Sequence, residues 1–399
     1  MNPRPQPASS KRVRIANLAL QGVWNRRWAS RPILEPDLLI RKAGLKANAD
    51  PDADGCDWRS RLTLLCGDLT HQAQLTSLGL VLAQGQLVSA LAARFRAHAL
   101  WQQYPEIAEQ QIRAPIIVIG QMRSGTTRMQ RLLACDPRFT FTRFYESWNP
   151  IPENWPGPDG RKLKGRIGLT CARLLNPHFD AIHPTSLHAP EEEIGLHNLS
   201  IFGTAFEAQW RVPNYTAAVE TEDCTGVYQE FKRLLQTLTW LRGDGYDRPW
   251  VLKVPQFSQD VVTMLKIFPD ARLVYMRRDP REVIASSTSL VCNQRSLQSH
   301  QVDRNQIGNE WARKIQLRQD RMAAARATAR VPQIEVDYND MSKDWAHEIR
   351  RVYTMLGLPL EEAAHMAMRK YAAATAPARR KVHKYDAIPF RMASAPSSY

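Results

Sequence analysis

Arg123, Ser124, Gly125, Thr126 and Thr127 stand together in PIIVIGQMRSGTTRMQRLLACD, residues 115–136, and they are residue types that hold an oxyanion. The β-branched run Ile116 to Ile119 reads as a buried parallel strand that stops at Gly120, and Met129, Leu132 and Leu133 then take helical spacing. A strand, a glycine-bounded loop and a helix make a phosphate cradle, because free N–H groups and the positive end of the helix dipole face one point. The nucleoside-triphosphate version is GxxxxGK[ST]. Here Gly120 and Gly125 keep the spacing, but Thr126 occupies the lysine position and the cation is Arg123, inside the loop. That departure turns the reading away from ATP and GTP. A plain strand-to-helix corner is the blander alternative.

Three further segments carry cations. In YMRRDPREVIASS, residues 275–287, Arg278 ends a strand, and Ser286 lies two helical turns beyond Asp279. A strand-end arginine and a helical serine can converge on one anion above the sheet edge, where open α/β sheets bind ligands. Arg277, its neighbour, points to the opposite face. In Trp250-Val251-Leu252-Lys253-Val254-Pro255 a lysine ends a buried strand. That is costly without a partner, and it could stabilise charge on a transferring group. In ARRKVHKYD, residues 378–386, Arg379, Arg380, Lys381 and Lys384 form a lid over an anion or a solvated tail.

These residues need a scaffold. Residues 30–110 lack strand alternation and read as helices from Pro36 to Ala43, Arg59 to Ala73 and Leu87 to Gln103, breaking at Tyr104-Pro105. Strands are expected at Trp250 to Val254, Leu273 to Met276 and Gln333 to Tyr338. Helices are expected after Ser258 as a cap, from Pro280, from Ser342 to Leu356 and, within 191–242, most clearly from Val227 to Leu241. Strands alternating with helices predict an α/β fold, a central parallel sheet flanked by helices with right-handed crossovers. The organisation expected is a flexible basic N-terminus over 1–29, a helical region over 30–112, and an α/β domain over 113–399. A helical insertion of about 146–245 covers the site.

Composition narrows the classes. The 399 residues are 44% hydrophobic and 23% charged, ordinary for a globular chain. The net charge of +15 suits nucleic acid, an acidic membrane surface or a polyanionic small ligand. Neither zinc-finger spacing nor an RNA-binding aromatic signature accompanies it, so nucleic acid is not the expected partner. Cys56, Cys66, Cys135, Cys171, Cys224 and Cys292 are scattered without a CxxC pair and read as reduced thiols. No membrane span is evident, and ANLALQGVW near the N-terminus is too broken for a signal-peptide core, so a cytoplasmic location is expected.

Taken together, these segments resemble the sulfotransferase superfamily that uses 3′-phosphoadenosine 5′-phosphosulfate (PAPS), most closely bacterial members with a helical N-terminal region. The resemblance runs from about residue 50 to 390, through HPTSLHAPEEE and VDYNDM. It implies a core of the nucleotide-kinase type. Arg123, Ser124, Gly125, Thr126 and Thr127 would bind the 5′-phosphosulfate, Arg278 and Ser286 the 3′-phosphate, and Arg379, Arg380 and Lys381 would close over it. PAPS would be the co-substrate and adenosine 3′,5′-bisphosphate the product, with no metal. Lys253 matches the lysine of the family's KTH segment, but Pro255 stands at the histidine position, so no histidine base is expected there. Arg123 and Lys253 would stabilise the sulfuryl group and the departing phosphate. Glu146, in FYESWNP, resembles the glutamate base of tyrosyl-protein and heparan sulfotransferases, with His183 and Glu191, Glu192 and Glu193 as alternatives. The acceptor would be a hydroxyl of a small molecule, carbohydrate, lipid or peptide. Two other readings stay open: a non-catalytic nucleotide-binding protein of the same fold, and a P-loop kinase or NTPase, which would need the loop lysine.

Overall fold

The computed structural model describes residues 10–51, 57–177, 179–243 and 248–380, with side chains as far as residue 376. Four helices come first: α1 (Lys11–Asn25), α2 (Pro36–Ala47), α3 (Trp58–His71) and α4 (Ser77–Gln103). Helix α1 replaces most of the expected flexible arm. Ser10 caps it by accepting from the Val13 N–H at 3.3 Å, and Val13 is buried. Helix α4 is long and apolar enough to cross a membrane, but just over half of its apolar window is buried inside the fold.

The α/β region begins with β1 (Ile116–Ile119) and α5 (Thr126–Leu133). A run of helices follows: α6 (Phe144–Trp148), α7 (Arg161–Leu175), α8 (Phe179–Ile182), α9 (Ile194–Asn198), α10 (Thr204–Gln209), α11 (Pro213–Val219) and α12 (Thr225–Arg242). Then come β2 (Val251–Leu252), α13 (Val261–Ile267), β3 (Arg272–Arg277), α14 (Pro280–Ser296) and α15 (Arg304–Thr328). The chain continues through β4 (Gln333–Asp337), α16 (Tyr338–Lys343), α17 (Trp345–Leu356) and α18 (Glu362–Arg380).

All strand pairs are parallel, in the order β2-β1-β3-β4. Alternation along the strands divides the core between two faces. Ile117, Ile119, Leu252, Leu273 and Tyr275 join the cluster built from the N-terminal helices and α12. Ile116, Val118, Val251, Val274 and Met276 join Met129 and Leu133 of α5 and Val352 of α17.

Local chemistry corrects three expectations. The second strand is only two residues long, because Pro255 opens a 3₁₀ turn. Ser258 does not cap α13; its hydroxyl donates back to the Pro255 carbonyl, and Asp260 takes the cap position. The helix expected from Ser342 is split in two. Asp344 caps α17 instead, accepting from the His347 N–H at 3.0 Å.

Candidate active site

Parallel strands bring their C-terminal ends to one edge, so Gly120, Lys253, Arg278 and Tyr338 all leave the sheet there. At Gly120 a Cβ would sit 2.8 Å from Ser124 Oγ and 2.9 Å from the Met276 carbonyl, so only glycine lets the loop turn this tightly. Arg123 and Gly125 are in the left-handed region, at φ 68° and 94°. Ser124 Oγ donates to the Gln121 carbonyl at 2.6 Å. Among the described residues, nothing accepts from the N–H groups of Gly125, Thr126 and Thr127, the first donors of α5.

Arg123 lies between Arg278 and Ser286. Arg123 Nε donates to Ser286 Oγ at 3.0 Å, and Arg278 Nη1 donates to the Arg123 carbonyl at 2.7 Å. Arg278 also pairs with Glu282 at 2.8 Å and stacks 4.1 Å over the Tyr338 ring. The same ring closes on Gly125, where a Cβ would meet Tyr338 Cδ2 at 2.9 Å. The sequence marks Tyr338 as the end of an expected strand, and the structure places it one residue beyond the strand, at this edge. Arg277 turns outward to Glu335 and Asp337.

Lys253 is 1% exposed, and its Nζ donates to Thr127 Oγ1 at 3.0 Å and pairs with the Glu192 carboxylate. Glu192 lies on a segment strapped over the loop. Gln130 Nε2 of α5 donates to the Glu191 carbonyl at 3.0 Å, the Glu191 N–H donates to the Thr142 carbonyl, and Ser147 Oγ donates to the Glu192 carbonyl at 2.5 Å. The three glutamates have separate tasks. Glu191 binds His183 Nε2 at 2.9 Å and accepts from Thr185 Oγ1 at 3.0 Å. Burial opposes its charge, but His183 and these bonds outweigh it and hold its carboxyl down to about 2. For His183, burial works against the cation, and Glu191 reverses the sign and raises it. Glu193 is fully buried and accepts the Lys253 N–H at 2.8 Å; burial pushes its carboxyl up to about 8.

Glu146 is not brought to the loop. It is buried at the start of α6, where it accepts the Arg143 N–H at 2.9 Å and pairs with Arg143 at 3.0 Å and Arg242 at 2.6 Å. Burial raises its pKa, but the two guanidinium groups prevail and lower it. Such a carboxylate holds α6 to α12. Arg379 and Arg380 end α18 with side chains outside the described part, and Lys381 lies outside the described residues.

A glycine-bounded loop, orphan N–H groups and three cations at one sheet edge match a known pattern, and the sequence model of the sulfotransferase family fits residues 115–362. The chain belongs to the sulfotransferase family. Sulfotransferase STF1 from Mycobacterium tuberculosis H37Rv is similar over 86% of this chain and 94% of its own, with 28% identity and a TM-score of 0.74. Sulfotransferase STF9 from Mycobacterium avium is similar over 85% and 88%, with 25% identity and a TM-score of 0.76. No curated protein matches. The parallel sheet flanked by helices and the helical N-terminal region are thus features of a sulfotransferase-family fold.

Proposed function

We propose that this sulfotransferase-family protein transfers the sulfuryl group of PAPS to a hydroxyl, with Glu192 rather than Glu146 as the general base. The observation that carries this reading is Lys253 Nζ bound to both Thr127, at the N-terminus of α5, and Glu192. The N–H groups of Gly125, Thr126 and Thr127, which have no acceptor among the described residues, fit an oxyanion, and they would hold the 5′-phosphosulfate end together with Arg123. Arg278 and Ser286 would hold the 3′-phosphate, and Arg379, Arg380 and Lys381 would close over it.

In the step proposed, the acceptor hydroxyl gives its proton to Glu192 while its oxygen attacks sulfur. The bond from sulfur to the bridging phosphate oxygen breaks in line, and its electron pair stays on the departing phosphate. Lys253, Arg123 and the helix N–H groups are then aimed at charge that grows as that bond opens. Thr126 in place of the P-loop lysine argues against an NTPase.

Calorimetry with adenosine 3′,5′-bisphosphate against ATP tests the nucleotide class, and tighter ATP binding would refute it. Transfer of labelled sulfate from PAPS across an acceptor panel tests the reaction. Binding of the bisphosphate with no transfer to any acceptor would favour the non-catalytic reading.

A further inference from the structure

Helices α1 and α7 carry a surface that the site does not use. On α7, Arg161, Gly165 and Leu169 are buried, while Leu163, Ile167 and Leu174 are each more than half exposed. At ~100° per residue those three fall on one stripe, opposite the buried face. Lys162, Arg166 and Arg173 flank the stripe along one side and are exposed. Helix α1 meets the far end of α7: Arg12 Nη1 donates to the Leu174 carbonyl at 3.1 Å, and Ser10 Oγ to the Leu175 carbonyl at 3.4 Å. It adds exposed Ile15 and Leu18, with Lys11, Arg12 and Arg14 alongside.

Neither helix contains an acidic residue. Arg173 pairs with Asp180 and Lys164 with Glu153. No carboxylate among the described residues pairs with Lys11, Arg12, Arg14, Lys162 or Arg166. A soluble partner face would be expected to hide this stripe under apolar side chains, and a second copy would set the cationic flanks against each other. An anionic bilayer surface satisfies both halves, taking the apolar stripe into the acyl boundary and the cations among the headgroups.

We propose that the α1–α7 face docks this protein on anionic lipid membranes. Helix α7 packs against α6, where a Cβ on Gly165 would meet Tyr145 Cβ at 2.9 Å, and α6 holds the Glu192 segment through Ser147. Docking on this face would therefore leave α7 and α6 between the bilayer and the Glu192 segment. If the sulfotransferase reading holds, on which this extension rests, the acceptor is a hydroxyl carried at a membrane surface.

Co-sedimentation of the full chain, without nucleotide, with vesicles containing phosphatidylglycerol and with pure phosphatidylcholine vesicles tests docking separately from transfer. Binding is expected only to the anionic vesicles and is expected to weaken with salt. The Leu163→Glu, Ile167→Glu double variant should lower partitioning by roughly tenfold or more, with its melting temperature unchanged. The Lys162→Gln, Arg166→Gln variant, which keeps the stripe, should lower it on the order of tenfold. Equal binding to neutral vesicles, or unchanged partitioning in both variants, would overturn the proposal. So would a wild-type dimer that the leucine and isoleucine changes dissociate, since a second copy would then cover the face.

Discussion

At the residue scale, the two glutamates considered as bases separate by their neighbours. Glu192 shares Lys253 with Thr127, whereas both oxygens of Glu146 are engaged by Arg143 and Arg242. Glu192→Gln is expected to cut kcat by ~10²–10⁴-fold and to lower the melting temperature as well, because the buried Lys253 loses its counter-charge. Glu146→Ala should destabilise the fold by ~3–5 kcal/mol, because two guanidinium groups lose a buried partner, while the kcat of the folded fraction stays near wild type. Chemical denaturation and steady-state kinetics on both variants decide between them. FYESWNP alone could not reveal this, since Arg242 lies 96 residues downstream. The adjacent Glu191 sets an acid limit. Its carboxyl falls from 4.5 to about 2 on folding, so its stabilisation is complete above 4.5 and is lost as pH falls toward 2. Glu191→Gln should flatten that limb in urea midpoints measured between neutral and acid pH. Glu193 has the opposite sign: its carboxyl rises to about 8, so its contribution is lost as pH climbs from 4.5 toward 8.

At the element scale, the phosphate loop depends on backbone shape as much as on side chains. Gly120→Ala forces a Cβ against the Met276 carbonyl, and Gly125→Ala adds left-handed strain and a contact with Tyr338. Each should weaken bisphosphate binding by roughly tenfold or more, with a smaller effect on melting temperature, read by calorimetry and thermal scans. The loop, the strand-end cations and the helix carrying Ser286 were legible because they follow local rules: a β-branched run, a glycine pair, and proline at the start of a helix. What was not legible depended on distant partners. Helix α1 was hidden by its polar first turn and forms on Val13 packing and the Ser10 cap. The glutamate segment was visible as an acidic run, but only the fold assigns Glu191 to His183, Glu192 to Lys253 and Glu193 to a backbone N–H.

At the scale of the molecule, the expected boundary near residue 112 does not separate two cores. Trp58, Leu62, Leu91 and Phe95 of the N-terminal helices share one apolar cluster with Ile117, Leu252 and Leu273 of the sheet. Helix α4 is tied to α12 by Arg94 and His98 on Glu230 and by Trp101 Nε1 donating to Thr237 Oγ1 at 2.8 Å. A single calorimetric transition is therefore expected, and residues 113–399 expressed alone should expose the orphaned half of that cluster and aggregate.

The pairing of α4 with α12 also bears on synthesis. About 120 residues (225 minus 103) separate the end of one helix from the start of the other. At ~5–20 residues per second, α4 leaves the ribosome on the order of ten seconds before its partner exists. For that interval α2 can already pack on α4, but the apolar face that α12 will cover is bare, a substrate suited to a co-translational chaperone.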